Sequence, residues 1–345
     1  MIFERVKKIA DAMLYQGYVL YPDRGATIKC PKRCTSGTLY PAGNSFGKPD
    51  QMQVQCLVVG EAAKISIAAR FLHLLNRDIF KLDSPADTLP QDWQQQATPV
   101  ASIQIGETVY QTSQEAVQRE IRPSTRSLQA MVGNAQHDAF SFSLASDVEP
   151  IEDDGRCVAV VQRSQSSVTG DVEIMGEVIG DHVFKLTLTL RNTTHRSELP
   201  ASRREGRLEQ VFASAHLILG VEEGHFVSTI DPPPEWATLA ATCQNRGLWP
   251  VLAGDPPDQH YMLATPVILH DYPQINSPQI ASQGSADCFD ETDIDEMLAM
   301  RVMTMTDQEI KELQSTDEPA WQILQRTESN SLERRKALHR SSKVN

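Results

Sequence analysis

Apolar and polar residues alternate through much of the first 200 positions, as they do in β-strands that bury one face. Two such runs, residues 53–60 and 64–75, are separated by three residues, a spacing that suits a β-hairpin. One face of the second run would carry Ile65, Ile67, Ala69, Phe71 and His73. Farther on, a turn at residues 106–107 separates two shorter alternating runs. The first part of the chain is therefore predicted to be antiparallel β-structure.

The clearest antiparallel pattern follows in the next part of the chain. Three strands are predicted, over residues 158–168, 172–178 and 182–192, with tight turns at Gly170-Asp171 and Gly180-Asp181. In the last strand the apolar face is formed by Phe184, Leu186, Leu188 and Leu190. The opposite, water-facing side is formed by Val183, Lys185, Thr187 and Thr189. One buried and one wet face are expected of an antiparallel sheet.

The pattern changes after residue 200. Residues 203–220 place apolar side chains at helical spacing and end on a glycine, so they predict a helix. Asp231, followed by three prolines, predicts the start of a second helix that runs to about residue 244. Strand-like runs at residues 249–254 and 261–273 come next, and helical spacing returns from Asp290 onwards.

Together these elements predict an α+β protein with two structural parts and a tail. An antiparallel β-rich domain is expected over residues 1–200, and a mixed α/β region ending in helices over residues 201–328. Residues 329–345 are expected to form a polar tail. A length of 345 residues is enough for about two domains.

Composition narrows the classes of function. The formal net charge of −13 argues against a nucleic-acid-binding protein, because binding phosphates requires a positive surface. Apolar runs stay short of the roughly 18 residues that span a bilayer, so membrane insertion is not expected. The first residues are amphipathic rather than continuously apolar, which does not resemble a secretory signal. We therefore expect a cytoplasmic protein.

Candidate chemistry is sparse. Cys30 and Cys34 flank basic residues and could bind a metal ion, but their spacing is not Cys-x-x-Cys and no second ligand pair lies nearby. His270 and Asp271 are adjacent at the end of an apolar run, where a carboxylate could orient an imidazole. The sequence contains neither a G-x-S-x-G elbow nor a phosphate-binding glycine loop. It predicts no catalytic residues, no cofactor and no metal site, and enzymatic activity is not favoured.

Several short stretches together carry a family resemblance that covers nearly the whole chain. These stretches are residues 10–22 (ADAMLYQGYVLYP), 70–74 (RFLHL), 231–233 (DPP), 249–252 (WPVL), 266–269 (PVIL) and 289–296 (FDETDIDE). In these stretches the chain resembles a family of uncharacterised bacterial proteins that are encoded alongside nickel–iron hydrogenases and their maturation genes. The resemblance implies an accessory protein that binds a hydrogenase subunit or a maturation factor. It supplies no catalytic residues.

The chain also departs from the family pattern. Cys30 and Cys34 stand where the family has asparagine and tryptophan, which suggests local divergence rather than inherited metal chemistry. Family members continue past residue 345 with a further β-rich module, so this copy is expected to be shortened or diverged at its C-terminus.

Two alternatives to the accessory protein stay open. One is an enzyme of unknown reaction, whose polar pocket would be formed by the N-terminal block together with the His–Asp pair. Its binding residues would be Tyr15, Tyr18, Tyr21, Arg24, Lys29, His270 and Asp271. The other is a metal carrier that uses Cys30, Cys34 and a distant histidine.

Overall fold

A computed structural model of the protein describes residues 4–20, 37–44, 47–106, 108–143, 145–195 and 210–273. Strands make up 57% of this structure, whereas its two helices make up only 10%. The prediction of an α+β protein ending in helices is therefore wrong for the described residues, which form a β-rich fold. The helices predicted from Asp290 onwards lie outside the described residues.

The described part contains two α-helices and sixteen strands. The helices are α1 (Glu4–Leu20) and α2 (Pro234–Ala240). The first eight strands are β1 (Gln51–Val59), β2 (Lys64–Ala86), β3 (Ala97–Val100), β4 (Ser102–Ile105), β5 (Thr108–Gln111), β6 (Ser113–Ile121), β7 (Arg126–Ser127) and β8 (Gln136–Phe142). The others are β9 (Ala145–Asp153), β10 (Arg156–Gln165), β11 (Val168–Gly180), β12 (Val183–Asn192), β13 (Ala213–Glu222), β14 (His225–Phe226), β15 (Trp249–Leu252) and β16 (Tyr261–Thr265).

Two antiparallel sheets hold most of these strands. The five-stranded sheet has the order β14-β1-β12-β11-β8. The nine-stranded sheet follows the order β15-β16-β13-β2-β10-β9. Both β13 and β10 pair with one side of the long strand β2, and β3, β6 and β7 pair with its other side. Because β2 is 23 residues long, it can pair with five different strands along its two sides. A separate hairpin, β4–β5, confirms the turn predicted at residues 106–107.

The main core lies between the two sheets. The inner face of β2 contributes Ile65, Ile67, Ala69 and Phe71, which confirms the face predicted by alternation. Four side chains of β12 face them from the other sheet: Phe184, Leu186, Leu188 and Leu190. The rings of Phe71 and Phe212 stack with their centroids 4.1 Å apart. Burial of this apolar area is the dominant stabilising contribution to such a fold.

Helix α1 covers the outer face of the nine-stranded sheet. Its apolar side chains Val6, Ala10 and Met13 pack with Ala68 of β2 and Ile218 of β13. As a result, the central strands of this sheet are covered on both faces, by the core on one side and by α1 on the other. The polar face predicted for β12 is also partly covered, since Thr187 and Thr189 are buried.

This double burial explains why a helix was wrongly predicted over the described part of residues 203–220; residues 203–209 lie outside the described residues. In the structure Ala213–Glu222 is the strand β13, and every residue from Ala213 to Val221 is buried. A strand that is buried on both faces shows a continuous apolar run rather than alternation, so periodicity cannot distinguish it from a buried helix. The second predicted helix is present as α2 with a proline in its first turn, but its N-cap is Pro233 rather than Asp231, and it ends at Ala240 instead of near residue 244.

Of the other three predicted turns, two are wrong and one is confirmed. The runs at 53–60 and 64–75 do not form a hairpin, because β1 and β2 belong to different sheets. Gly170-Asp171 lies inside β11 rather than in a turn. Gly180-Asp181 does join β11 to β12 as an antiparallel hairpin. The domain boundary near residue 200 stays a prediction; strands from both sides of it pair in the nine-stranded sheet.

Candidate functional site

Most of the N-terminal block predicted as a polar pocket lies outside the described residues. Tyr15 and Tyr18 belong to α1, but the structure does not describe their side chains. Tyr21, Arg24 and Lys29 lie outside the described residues, as do the two cysteines considered as metal ligands, Cys30 and Cys34. The enzyme pocket and the metal carrier therefore stay predictions.

The predicted pair His270–Asp271 lies in the loop after β16 rather than on a strand, because β16 ends at Thr265. The Asp271 carboxylate accepts hydrogen bonds from the Ser228 hydroxyl, at 2.5 Å, and from the backbone N–H of Leu252, at 2.7 Å. Its position is thus fixed by a neighbouring loop and by strand β15. The His270 residue is exposed, and within the described part of the chain the Asp271 carboxylate is bound by Ser228 and Leu252 rather than by His270.

The structure brings together a different cluster, centred on Arg70 of β2. Alternation along β2 points this side chain away from the main core and toward α1, and 0% of it is exposed. Its guanidinium pairs with Asp11 of α1 and with Glu120 of β6, at 3.1 Å between Nε and Oε2. Glu120 also pairs with Arg122. Helix α1 is thereby joined to the sheet by charge as well as by apolar packing.

His216 of β13 completes this cluster as a neutral group. Its Nδ1 lies 3.0 Å from the backbone oxygen of Ser214, and its Nε2 lies 3.5 Å from Nη1 of Arg70. Since an arginine can only donate, Nε2 must be the acceptor and Nδ1 must carry the proton. Burial, and then the positive charge of Arg70, lower the pKa of His216 to about 3, although the bond to Ser214 acts in the opposite direction.

A second ionic network lies farther along β2, on the opposite face of the sheet. Glu115 of β6 is 3.6 Å from Nε of Arg77 and 3.0 Å from Nε of Arg163, and Arg163 also reaches Glu149 at 2.7 Å. Burial lowers the pKa of the Arg77 guanidinium despite the nearby Glu115. Two cross-strand arginines are thus held side by side by two carboxylates.

The described thiols are not activated. Burial, and then the proximity of Cys243, raise the pKa of Cys56 far above its usual range. Burial also raises the pKa of Cys243, although Lys185 opposes this, and burial raises the pKa of Cys157. A reactive cysteine requires a lowered pKa, so these residues fit the role of small apolar side chains.

The outer face of the five-stranded sheet is polar and is laid out in cross-strand rows. One row runs Gln53–Thr189–Glu173–His137, and the next runs Gln51–Arg191–Asp171–Ala139. Nη1 of Arg191 lies 2.9 Å from Glu173, and Nδ1 of His137 lies 3.0 Å from Asp171. Most of these side chains are at least partly exposed. The face therefore offers alternating charges on a broad surface rather than in a cleft.

Sequence reasoning missed the Arg70 cluster. A signal was present, since Arg70 and His216 both interrupt long apolar runs in strands. A charged residue in such a run is seldom buried unless it is paired. Its partners Asp11 and Glu120 could not be found in this way, because they lie 59 and 50 positions from Arg70 in elements of different type.

No protein-family model matches the chain, and no curated protein matches it either. Within the described ranges there is no group of three or more His, Cys, Asp or Glu side chains placed to hold a metal ion. Neither helix of the described part combines the length and apolar character needed to cross a membrane.

Proposed function

We propose that the protein is a non-catalytic accessory protein that works by binding another protein. The resemblance to proteins encoded with nickel–iron hydrogenases makes a hydrogenase subunit or a maturation factor the proposed partner. On this proposal the protein acts in the cytoplasm and requires no cofactor.

The observation that carries the proposal is the state of the ionisable groups that the fold brings together. A general base works best with a pKa near the operating pH, whereas that of His216 is held at about 3. Arg70 is bound by two carboxylates, and the Asp271 carboxylate is bound by a hydroxyl and a backbone N–H. These groups fix α1, β6, β13 and β15 in place, and such a use suits a rigid binding scaffold.

The polar face of the five-stranded sheet supports the same proposal. Its charged side chains belong to adjacent strands of one sheet, so their spacing is set by the strands rather than by flexible loops. Interfaces between proteins that also exist separately are about as polar as the rest of the surface. A pre-formed polar sheet face can therefore serve as such an interface.

The experiment is reconstitution with purified components. The protein is mixed with individual hydrogenase subunits and maturation factors from the same cell, and complexes are detected by size-exclusion chromatography with light scattering. We expect a stoichiometric complex with one of them. Separate elution of every component at concentrations of tens of micromolar would overturn the proposed function.

A further inference from the structure

The strand orders of the two sheets end in the strands β14, β15, β9 and β8, and a further edge is formed by β3, β6 and β7 beside β2. Of the four end strands, three are protected within the described part of the chain. The N–H of Phe226 in β14 donates to the backbone oxygen of Gln259 at 2.8 Å. In β15, the N–H of Leu252 donates to Asp271, and its oxygen accepts the N–H of Tyr272 at 2.7 Å. Loops therefore occupy hydrogen-bonding groups along the free sides of both strands.

The third edge strand, β9, is protected by its composition. It carries Pro150, which has no N–H to offer, and four acidic residues: Asp147, Glu149, Glu152 and Asp153. Prolines and charges on an edge strand are the usual means by which proteins prevent pairing with another chain. This edge is therefore closed to a further strand.

The fourth edge strand, β8, has neither kind of protection. Its sequence, QHDAFSF, lacks proline, lysine and arginine, and its single acidic residue, Asp138, is already paired with Arg126. Among the described residues, the backbone of β8 bonds only to β11. Phe140 and Phe142 pack against the main core and hold the strand in place. A fixed strand with a free row of N–H and C=O groups is a template for another strand.

Arg119 of β6 contacts Phe142, the last residue of β8. Its guanidinium is stacked on the ring of Phe142, 4.5 Å from the centroid. The Nε atom is buried and has no hydrogen-bond partner, and no carboxylate of the described residues forms an ion pair with it. The Arg119 residue is half-buried, so water reaches part of it, but its Nε donor is left unsatisfied and a carboxylate delivered to this position would be bound favourably.

We propose that the edge of β8 binds an extended segment of a partner protein that carries carboxylates at alternate positions. The segment adds to the five-stranded sheet as a sixth strand, and one of its inward-facing carboxylates pairs with Arg119. This inference rests on the proposed function, since it specifies where and how the partner is bound.

A second copy of this chain fits the edge less well. If β8 paired with its own copy, the only acidic side chain brought to the edge would be Asp138, which is already bound to Arg126. The copy would thus leave Arg119 without a carboxylate. Charge complementarity therefore favours a foreign segment over self-association.

The test uses the full chain and two synthetic peptides of the same length, each alternating valine with either glutamate or lysine. Binding is measured by fluorescence titration, and the site is located by amide hydrogen exchange. We expect the glutamate peptide to bind and to slow exchange in β8.

Arg119→Gln should weaken binding of this peptide at least about tenfold, because a hydrogen bond to a charged group is lost. The control Arg156→Gln removes a charge beside β9 and should change binding less than about twofold.

A second pair of variants tests the edge itself. Ala139→Lys and Ser141→Lys each place a charge on the exposed side of β8 and should block binding without unfolding the protein. Equal binding of both peptides, or protection of β9 instead of β8, would contradict the inference. So would a dimer of the unbound chain in sedimentation that Ala139→Lys dissociates.

The outcomes separate this inference from the proposed function. If a hydrogenase component binds equally well to Ala139→Lys and to the unaltered protein, the β8 site is wrong but the function stands. If the glutamate peptide protects β8 while no hydrogenase component binds, the site stands but the proposed partner is wrong.

Discussion

At the scale of single residues, the structure depends on how Arg70 keeps its charge in a buried position. Removing a guanidinium from water costs several kcal/mol, and this cost is offset only where carboxylates surround the charge. Asp11 and Glu120 do so here, and the neutral His216 lies beside Arg70 without adding a second positive charge. Arg70 therefore connects helix α1, the edge strand β6 and the central strand β13.

Substitution of Arg70 measures the strength of this junction. Arg70→Met should lower the free energy of unfolding by about 3–5 kcal/mol, because Glu120 and Asp11 lose their buried counter-ion. Asp11→Asn should cost less, since the Asp11 side chain is 43% exposed and water can compensate. Urea denaturation of both variants provides the comparison. A loss below about 1 kcal/mol for Arg70→Met would show that the cluster does not join α1 to the sheet.

The protonation of His216 predicts a dependence of stability on pH. Because its pKa is about 3 in the folded protein and about 6.5 when unfolded, only the unfolded chain binds the extra proton between these values. Stability is therefore complete above pH 6.5 and falls as the pH drops toward 3. Between pH 6.5 and 5 the His216 contribution should fall by about 2 kcal/mol.

His216→Gln isolates this contribution, because glutamine does not titrate. The variant and the unaltered protein are compared by urea denaturation at pH 7 and at pH 5. Both proteins contain Asp11 and Glu120, the other titratable groups near Arg70, so the comparison isolates His216. The difference between the two proteins should shrink by about 2 kcal/mol at pH 5. An unchanged difference would mean that His216 is not held neutral.

At the scale of elements, Gly170 permits a close approach between two strands. It lies opposite Phe140 in the β11–β8 ladder, and the ring of Phe140 covers it so closely that a Cβ would overlap the ring atoms. Gly170→Ala should therefore displace Phe140 and cost about 1–3 kcal/mol through overpacking. Gly180→Ala is the matched control, since its Cβ would meet Val183 at an ordinary 3.4 Å. Equal effects of the two substitutions in thermal denaturation would contradict this reading.

The elements also show which parts of the fold a sequence can predict. The β11–β12 and β4–β5 hairpins were predicted because each strand pairs with its neighbour across a short turn. The pairing of β1 with β12, more than a hundred residues away, has no local signal. A hairpin between β1 and β2 therefore looked reasonable and was wrong.

The same limit applies to the candidate site. Arg70 and His216 are polar residues in apolar runs, but only the three-dimensional arrangement shows that Arg70 meets Asp11, Glu120 and His216. The dipeptide Gly170-Asp171 predicts a turn, but in the structure it lies inside a strand. The ring of Phe140 leaves no room for a side chain at Gly170, and Asp171 pairs with His137 and Arg191. Glycine inside a strand can mark a close approach of another group rather than a turn.

At the scale of the whole molecule, two sheets enclose one apolar core, and α1 covers the second face of the larger sheet. Arg70 and Asp271 both help to hold neighbouring elements of the described part together. In the described part, the fold offers other molecules a polar sheet face and the unprotected edge of β8. On this account the protein acts through contact with a partner.

Reconstitution with a purified partner tests this account most directly. The chain and each proposed hydrogenase partner are mixed at equal concentration, and the mass of any complex is determined by light scattering for the unaltered protein and for Arg119→Gln. We predict a stoichiometric complex for the unaltered protein and one at least about tenfold weaker for the variant. Failure of every hydrogenase component to bind the unaltered protein would contradict the account.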